Sequence, residues 1–210
     1  MRDAYMEGDD DHSMLTDGLA GKGLKPWSFH GRPALLVMDM QSFFTDDCSP
    51  AFLPSAPTIV TRLRRLIDGF RSAGLPVIFT VHKDGGGPME RWWGRGMNDE
   101  WTQELALQPL DSESILMKDV YDAFHNGSLG RLLKDMKVES IVIGGVCTHL
   151  CVESTVRSAF CHGFQVIVPS DGTACHDREH HRASLLNMSH GFAHIDSSDN
   201  ILTKLETIHD

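Results

Sequence analysis

The stretch "SIVIGGVCTHLCVESTVRSAF" at residues 140–160 decides how this chain is read. Apolar and β-branched residues run into a pair of glycines, then two cysteines one helical turn apart, then a helical pattern. A buried strand that turns at glycine straight into a helix is how α/β proteins bring a reactive group to the carboxyl edge of a parallel sheet. Cys151 falls near the start of that helix, where unpaired N–H groups and the helix dipole favour a thiolate. A cysteine on its own is also a good small core residue, so residue type leaves the choice between Cys147 and Cys151 open.

The same strand-then-helix rhythm extends in both directions. "ALLVM" at 34–38 is apolar throughout, as a strand covered on both faces must be. Ile59, Val60, Leu63, Leu66, Ile67 and Phe70 then recur at helical spacing, and Gly74 and Pro76 punctuate before "VIFTV" at 77–81. Further strands are expected at 114–117, 140–145, 165–169 and 193–196. Helices are expected around 129–136, 150–161, 178–189 and 199–207. Repeated β-then-α order predicts an α/β fold: a three-layer, doubly wound, Rossmann-like, six-stranded and mostly parallel sheet with helices on both faces. Residues 1–30 are acidic and aperiodic and read as a mobile or subunit-packing arm, leaving 31–210 as one domain. The segment 83–109 is long, glycine-containing and carries three of the four tryptophans, so it is expected to pass over one end of the sheet and help build a pocket.

Composition narrows the function. A formal charge of −10 excludes nucleic acid and anionic membrane surfaces as partners, because both would repel most of the surface. No run approaches the roughly 20 apolar residues that a bilayer span requires, and the acidic start is unlike a signal peptide, which points to the cytoplasm. The five cysteines are odd in number and form no secreted framework, so reduced thiols are expected. Small-molecule chemistry is what remains.

Functional groups of such a sheet lie just past its strand ends. Asp39 closes the first strand in "VMDMQ", Lys118 closes the third in "ILMKDVYDAF", and Cys151 follows the fourth. Singly these are a turn aspartate, an exposed lysine and a core thiol. Together an acid, an ammonium and a thiol at three neighbouring strand ends supply a base, a charge stabiliser and a nucleophile.

With these residues in place the chain resembles the isochorismatase-like cysteine hydrolase family, which includes nicotinamidases, N-carbamoylsarcosine amidases, ureidoacrylate and maleamate amidohydrolases and isochorismatase itself. The resemblance spans about residues 34–202 and is carried by "LLVMDMQ", "KDVYDAF" and "GGVCTHLCVESTVRSAF". It implies an Asp39, Lys118, Cys151 triad and a cis peptide between Val146 and Cys147. It also implies an oxyanion hole of the Cys147 and Cys151 backbone N–H groups. Cys151 is then the nucleophile, and the Cys147 side chain a buried spectator; Gly144 and Gly145 let the backbone turn, and Thr148 is a helix-cap candidate.

The implied activity is hydrolysis of a small amide or carbamoyl substrate through a thioester, without an organic cofactor. A homodimer or homotetramer is the implied assembly. Two rivals stand beside it: a vinyl ether hydrolase of the isochorismatase type, which needs no thiol, and a non-catalytic binding protein on the same scaffold. Nicotinamidases carry an Asp-Trp-His type metal motif after their second strand, whereas this chain has "VHKDG". His82 and Asp84 alone are too few ligands for a closed site, so no metal is expected and His82 is read as pocket-lining, with His125 or His149 the nearest further ligands. Trp92 and Trp93 are read as an aromatic wall or a subunit contact. Phe44, Tyr121, Phe124 and His149 complete the substrate-binding expectation, and His180 and His181 are read as exposed helix residues.

Overall fold

The computed structural model describes residues 26–83, 87–94 and 104–209. Seven parallel strands form one sheet among them: β1 (Arg32–Met38), β2 (Val77–His82), β3 (Ser114–Lys118), β4 (Val138–Val146), β5 (Gln165–Pro169), β6 (Thr173–Ala174) and β7 (His194–Asp196). Six of them run in the order β3-β2-β1-β4-β5-β7, and β6 pairs with the end of β4. The six expected strands are all present; β6, a two-residue addition, is too short to leave a periodic signal.

Helices cover both faces, as apolar strands with no polar side require. On one face α2 (Ala56–Ser72) and α7 (Ser198–Glu206) pack Leu63, Leu66, Phe70, Ile201 and Leu205 against Leu35, Val37, Phe79 and Val142. On the other face lie α4 (Ser128–Asp135), α5 (Glu153–Cys161) and α6 (Arg178–Gly191), which set Leu129, Leu133, Val156, Leu185 and Met188 against Leu36, Met38, Ile78, Ile141 and Ile143. Strand residues alternate between these two layers, the odd positions of β1 in the first and the even ones in the second. The α2 stripe ends where Gly74 adopts a left-handed φ of +65° and Leu75 N–H closes onto the Phe70 carbonyl. Two short helices, α1 (Ser42–Thr45) and α3 (Pro88–Trp93), follow the ends of β1 and β2.

Residues 1–25 of the expected arm lie outside the described residues. Two of its described residues bond to the sheet: Trp27 donates its indole N–H to Asp196 at 2.9 Å, and His30 N–H reaches the Ser140 hydroxyl at 2.9 Å.

The pair of glycines in the opening stretch has a steric reason. Gly145, at φ +122°, is in register with Met38, and a Cβ there would fall on the Met38 backbone. A Cβ on Gly144 would approach Leu63 Cδ2 to 2.6 Å. Only glycine lets the ends of β1 and β4 come this close, and that closeness puts Asp39 beside the turn that carries Cys151.

Candidate active site

Asp39 leaves β1 with φ +53°, a conformation a non-glycine residue adopts only when its surroundings hold it. Its carboxylate is fully buried, with Oδ1 accepting from the Thr80 hydroxyl at 2.7 Å and Oδ2 paired with Lys118 Nζ at 2.7 Å. Lys118, at the end of β3 and 5% exposed, also donates to the Val120 carbonyl and to Cys151 Sγ, each at 3.2 Å. All three residues expected to carry the chemistry thus meet in one buried cluster, with the lysine between acid and thiol.

Cys151 does not sit on an ordinary helix start. The segment Thr148–Val152 is a single π-helical turn that leads into α5. The Cys147 carbonyl accepts from Leu150 N–H at 3.0 Å and from Val152 N–H at 3.2 Å, passing over the N–H of Cys151 that would be its α-helical partner. The peptide between Val146 and Cys147 is cis, as the resemblance implied.

Electrostatics correct one expectation. Burial, followed by the Asp39 carboxylate, pushes the Cys151 thiol up from 9.0 to about 12, with Lys118 opposing. The helix-start argument for a resting thiolate is overridden because the sulfur has lost its water and faces a carboxylate. Lys118 is held above its ordinary range: its burial works against the charge, but Asp39 and Cys151 more than restore it. The Asp39–Lys118 pair therefore lies beside a thiol that is neutral at pH 7. Cys147 is also buried and its thiol lies well above the ordinary range, first through desolvation.

Around this cluster the remaining expected residues separate. His82 ends β2, is 2% exposed, and lies in register with Lys118; its backbone N–H and carbonyl are both bonded to the Gln41 side-chain amide, at 2.8 and 3.0 Å. Trp93 donates its indole N–H to the Tyr121 hydroxyl at 2.9 Å, tying α3 to the loop just after Lys118. Trp92 is 79% exposed. Phe124 is taken up in the core, stacked on His162, and Phe44 packs edge-on against Phe43. His149 is half-buried against the His180 ring at 4.8 Å, and burial, then His180, lowers its pKa, so it is neutral at pH 7.

Two further readings need correction. His181 is buried, and Thr148 is no cap: its hydroxyl pairs with His181 Nδ1 at 2.9 Å. Asp84 lies outside the described residues, and His125 is exposed. Among the described residues, the grouping that brings three ligand-type atoms within 4.8 Å is Asp46, Asp47 and Cys48, which does not include His82.

Residues 33–200 match the isochorismatase domain model. The chain belongs to the isochorismatase family. It is 32% identical to Nicotinamidase 3 of Arabidopsis thaliana over 182 residues, covering 82% of this chain and 88% of that protein. It is 22% identical to N-carbamoylsarcosine amidase of an Arthrobacter species, over 86% of this chain and 74% of the relative. Among solved structures, a cysteine hydrolase from Pseudomonas syringae pv. phaseolicola 1448A superposes with a TM-score of 0.82 at 25% identity, over 88% of this chain and 98% of that one. The protein is a hydrolase of this family on its doubly wound fold. Among the described residues no helix is long and apolar enough to cross a membrane.

Two residues of this isochorismatase-family site were not singled out by sequence reasoning. Gln41 is fully buried and joins the exits of β1 and β2 through its paired bonds to His82. Thr80 touches Asp39 directly. A signal existed for both: each is an uncharged polar residue inside or just past an apolar run, two positions from a residue that was noticed.

Proposed function

We propose that this enzyme hydrolyses the C–N bond of a small amide or carbamoyl compound through a thioester on Cys151. The observation that carries the reading is the buried contact of Lys118 Nζ with both Asp39, at 2.7 Å, and Cys151 Sγ, at 3.2 Å. The names of the amidase relatives support the choice of bond. The intact thiol favours it over vinyl ether hydrolysis, which has no use for one.

In this scheme the neutral thiol gives its proton to Asp39 as Cys151 Sγ bonds to the substrate carbonyl carbon. Lys118 balances the charge that appears on sulfur and no longer resides on the carboxylate. The backbone N–H groups of Cys147 and Cys151 receive the oxyanion, and the π-turn that leaves the Cys147 carbonyl to Leu150 and Val152 supports this use of the Cys151 N–H. Each such donor is worth about 2.7–4 kcal/mol when removed. Protonated Asp39 then returns the proton to the departing nitrogen, which leaves as ammonia or an amine. Water, losing a proton to Asp39, attacks the thioester; the C–S bond breaks, Asp39 returns that proton to Cys151 Sγ, and the acid formed departs as a carboxylate or carbamate. The steps that consume and regenerate the carboxylate balance within one turnover.

Trp93, Tyr121, His82 and His149 are the side chains we assign to the substrate, and they set its identity. The test is ammonia release across a panel of small amides, ureas and carbamoylated amines, followed by hydroxylamine trapping and mass spectrometry of the acylated peptide. An acyl group on Cys151 is expected. Trapping on Cys147, or full activity after complete thiol alkylation, refutes the proposal.

A further inference from the structure

Strand alternation places Asp39 on the wrong side of the sheet. In β1, Ala34, Leu36 and Met38 face the layer of α4, α5 and α6, and Leu35 and Val37 face the opposite layer. An extended residue 39 would follow Leu35 and Val37. Cys151 packs in the layer of α4, α5 and α6, and Lys118 shares a face with Leu116, which packs there too. The left-handed φ of +53° is what brings the carboxylate back to that side. Such a conformation is unfavourable for a residue with a Cβ and persists only where contacts over-determine it.

Thr80 supplies those contacts from β2. Its backbone carbonyl and its hydroxyl oxygen both accept the Asp39 N–H, each at 3.2 Å, and the same hydroxyl donates to Asp39 Oδ1 at 2.7 Å. One side chain therefore holds both the backbone and the carboxylate of a single residue. The hydroxyl has one proton, and that proton is committed to Oδ1. Oδ2 is left facing Lys118. Thr80 is 1% exposed, so water does not stand in for it.

We propose that Thr80 is a positioning residue: its hydroxyl saturates Oδ1 of Asp39 and so reserves Oδ2 for the proton exchanged with Cys151. A carboxylate that loses a buried donor takes a proton more readily and returns it less readily. Without the hydroxyl, the thiol proton therefore shifts toward Asp39, and the departing nitrogen is protonated more slowly. The catalytic part of this inference rests on the amide reading; the proton partition between sulfur and carboxylate does not.

Two arms separate them. The first needs no substrate: the rate of iodoacetamide alkylation at Cys151, read by peptide fragmentation at pH 7. Thr80→Val, nearly isosteric, should speed it about tenfold, the value of one donor to a charged acceptor. Thr80→Ser should stay within about threefold of the parent. In an Asp39→Asn background Thr80→Val should add nothing, because no carboxylate remains. Thr80→Ala should reproduce the Val result, which guards against a misfolded Val variant. An unchanged rate in both Val and Ala, a Ser variant as altered as Val, or an equal effect in the Asn background overturns the proposal. The second arm uses whichever panel amide the parent hydrolyses: Thr80→Val should lower kcat at least tenfold with KM within threefold, and Ser should restore it. A parent that hydrolyses no amide sinks the amide reading, and the alkylation arm still decides Thr80.

Discussion

Lys118→Met tests whether the buried charges are arranged as described. The ammonium is 5% exposed and lies 2.7 Å from a carboxylate that is itself fully buried, so solvent screening takes little from the pair. Methionine fills nearly the same volume, which isolates the charge. Removing one member of a buried pair leaves the other uncompensated, a loss of about 3–5 kcal/mol. For a chain of this length each kcal/mol moves Tm by about 2–4 °C, so a fall of about 6–20 °C is expected. The double variant with Asp39→Asn should recover most of it, because no lone charge then remains. The thiol reports the same geometry with opposite signs. Asp39 is among the causes that push the Cys151 thiol up and Lys118 among those that pull it down. Alkylation of Cys151 should therefore slow in Lys118→Met and quicken in Asp39→Asn, although both lose turnover. Scanning calorimetry at pH 7 and timed iodoacetamide labelling measure the two. A double variant no more stable than Lys118→Met, or slower labelling in Asp39→Asn, would refute the arrangement.

Cys151→Ala should reduce turnover below about one per cent, while Cys147→Ala should stay within about threefold, since only the backbone of residue 147 is given a role; steady-state kinetics of the two variants decide between the thiols. Stability should fall as pH rises from about 9 to about 12. In that window the unfolded thiols ionise while in the fold Cys175 keeps its proton to about 11 and Cys151 to about 12, so the unfolded state holds fewer protons. The contribution is complete below about 9, and urea titrations should show a shallower alkaline slope for Cys151→Ala. Gly145→Ala should cost at least about 2 kcal/mol and depress activity further than stability explains, because the new Cβ would meet the Met38 backbone and displace Asp39. Turnover should survive exhaustive dialysis against a chelator; loss restored by zinc would show that His82 shares a metal with residues after Lys83.

The sheet was readable because its central strands are covered on both faces, and even β3, whose Ile115 and Met117 are about half exposed, is apolar up to its exit. An unbroken apolar run such as "ALLVM" has few other uses, and the first polar residue after it marks the exit. Asp39 and Lys118 were found in that way, and Cys151 by its place after the Gly144–Gly145 turn. What escaped was everything set by a contact distant in sequence. His181 was read as exposed although His181, Leu185 and Met188 follow helical spacing and share a buried stripe; a histidine in such a stripe is hidden when it has a partner, here Thr148, 33 residues earlier. Thr148 could not then serve as a cap.

Asp39 shows the deeper reason. Period-two reasoning gives the residue after Met38 to the wrong layer, and nothing local announces a left-handed aspartate. The conformation is set by Thr80 and Lys118, which come from two other strands. Thr80 itself reads as a β-branched strand former, which it also is. A hydroxyl in the middle of a strand sealed on both sides must nevertheless find a partner, since leaving it unpaired would cost about as much as a core methyl group contributes. Asking that question of each polar atom in an otherwise apolar strand leads from Thr80 to Asp39, and from Asp39 to the exchange of a proton with Cys151.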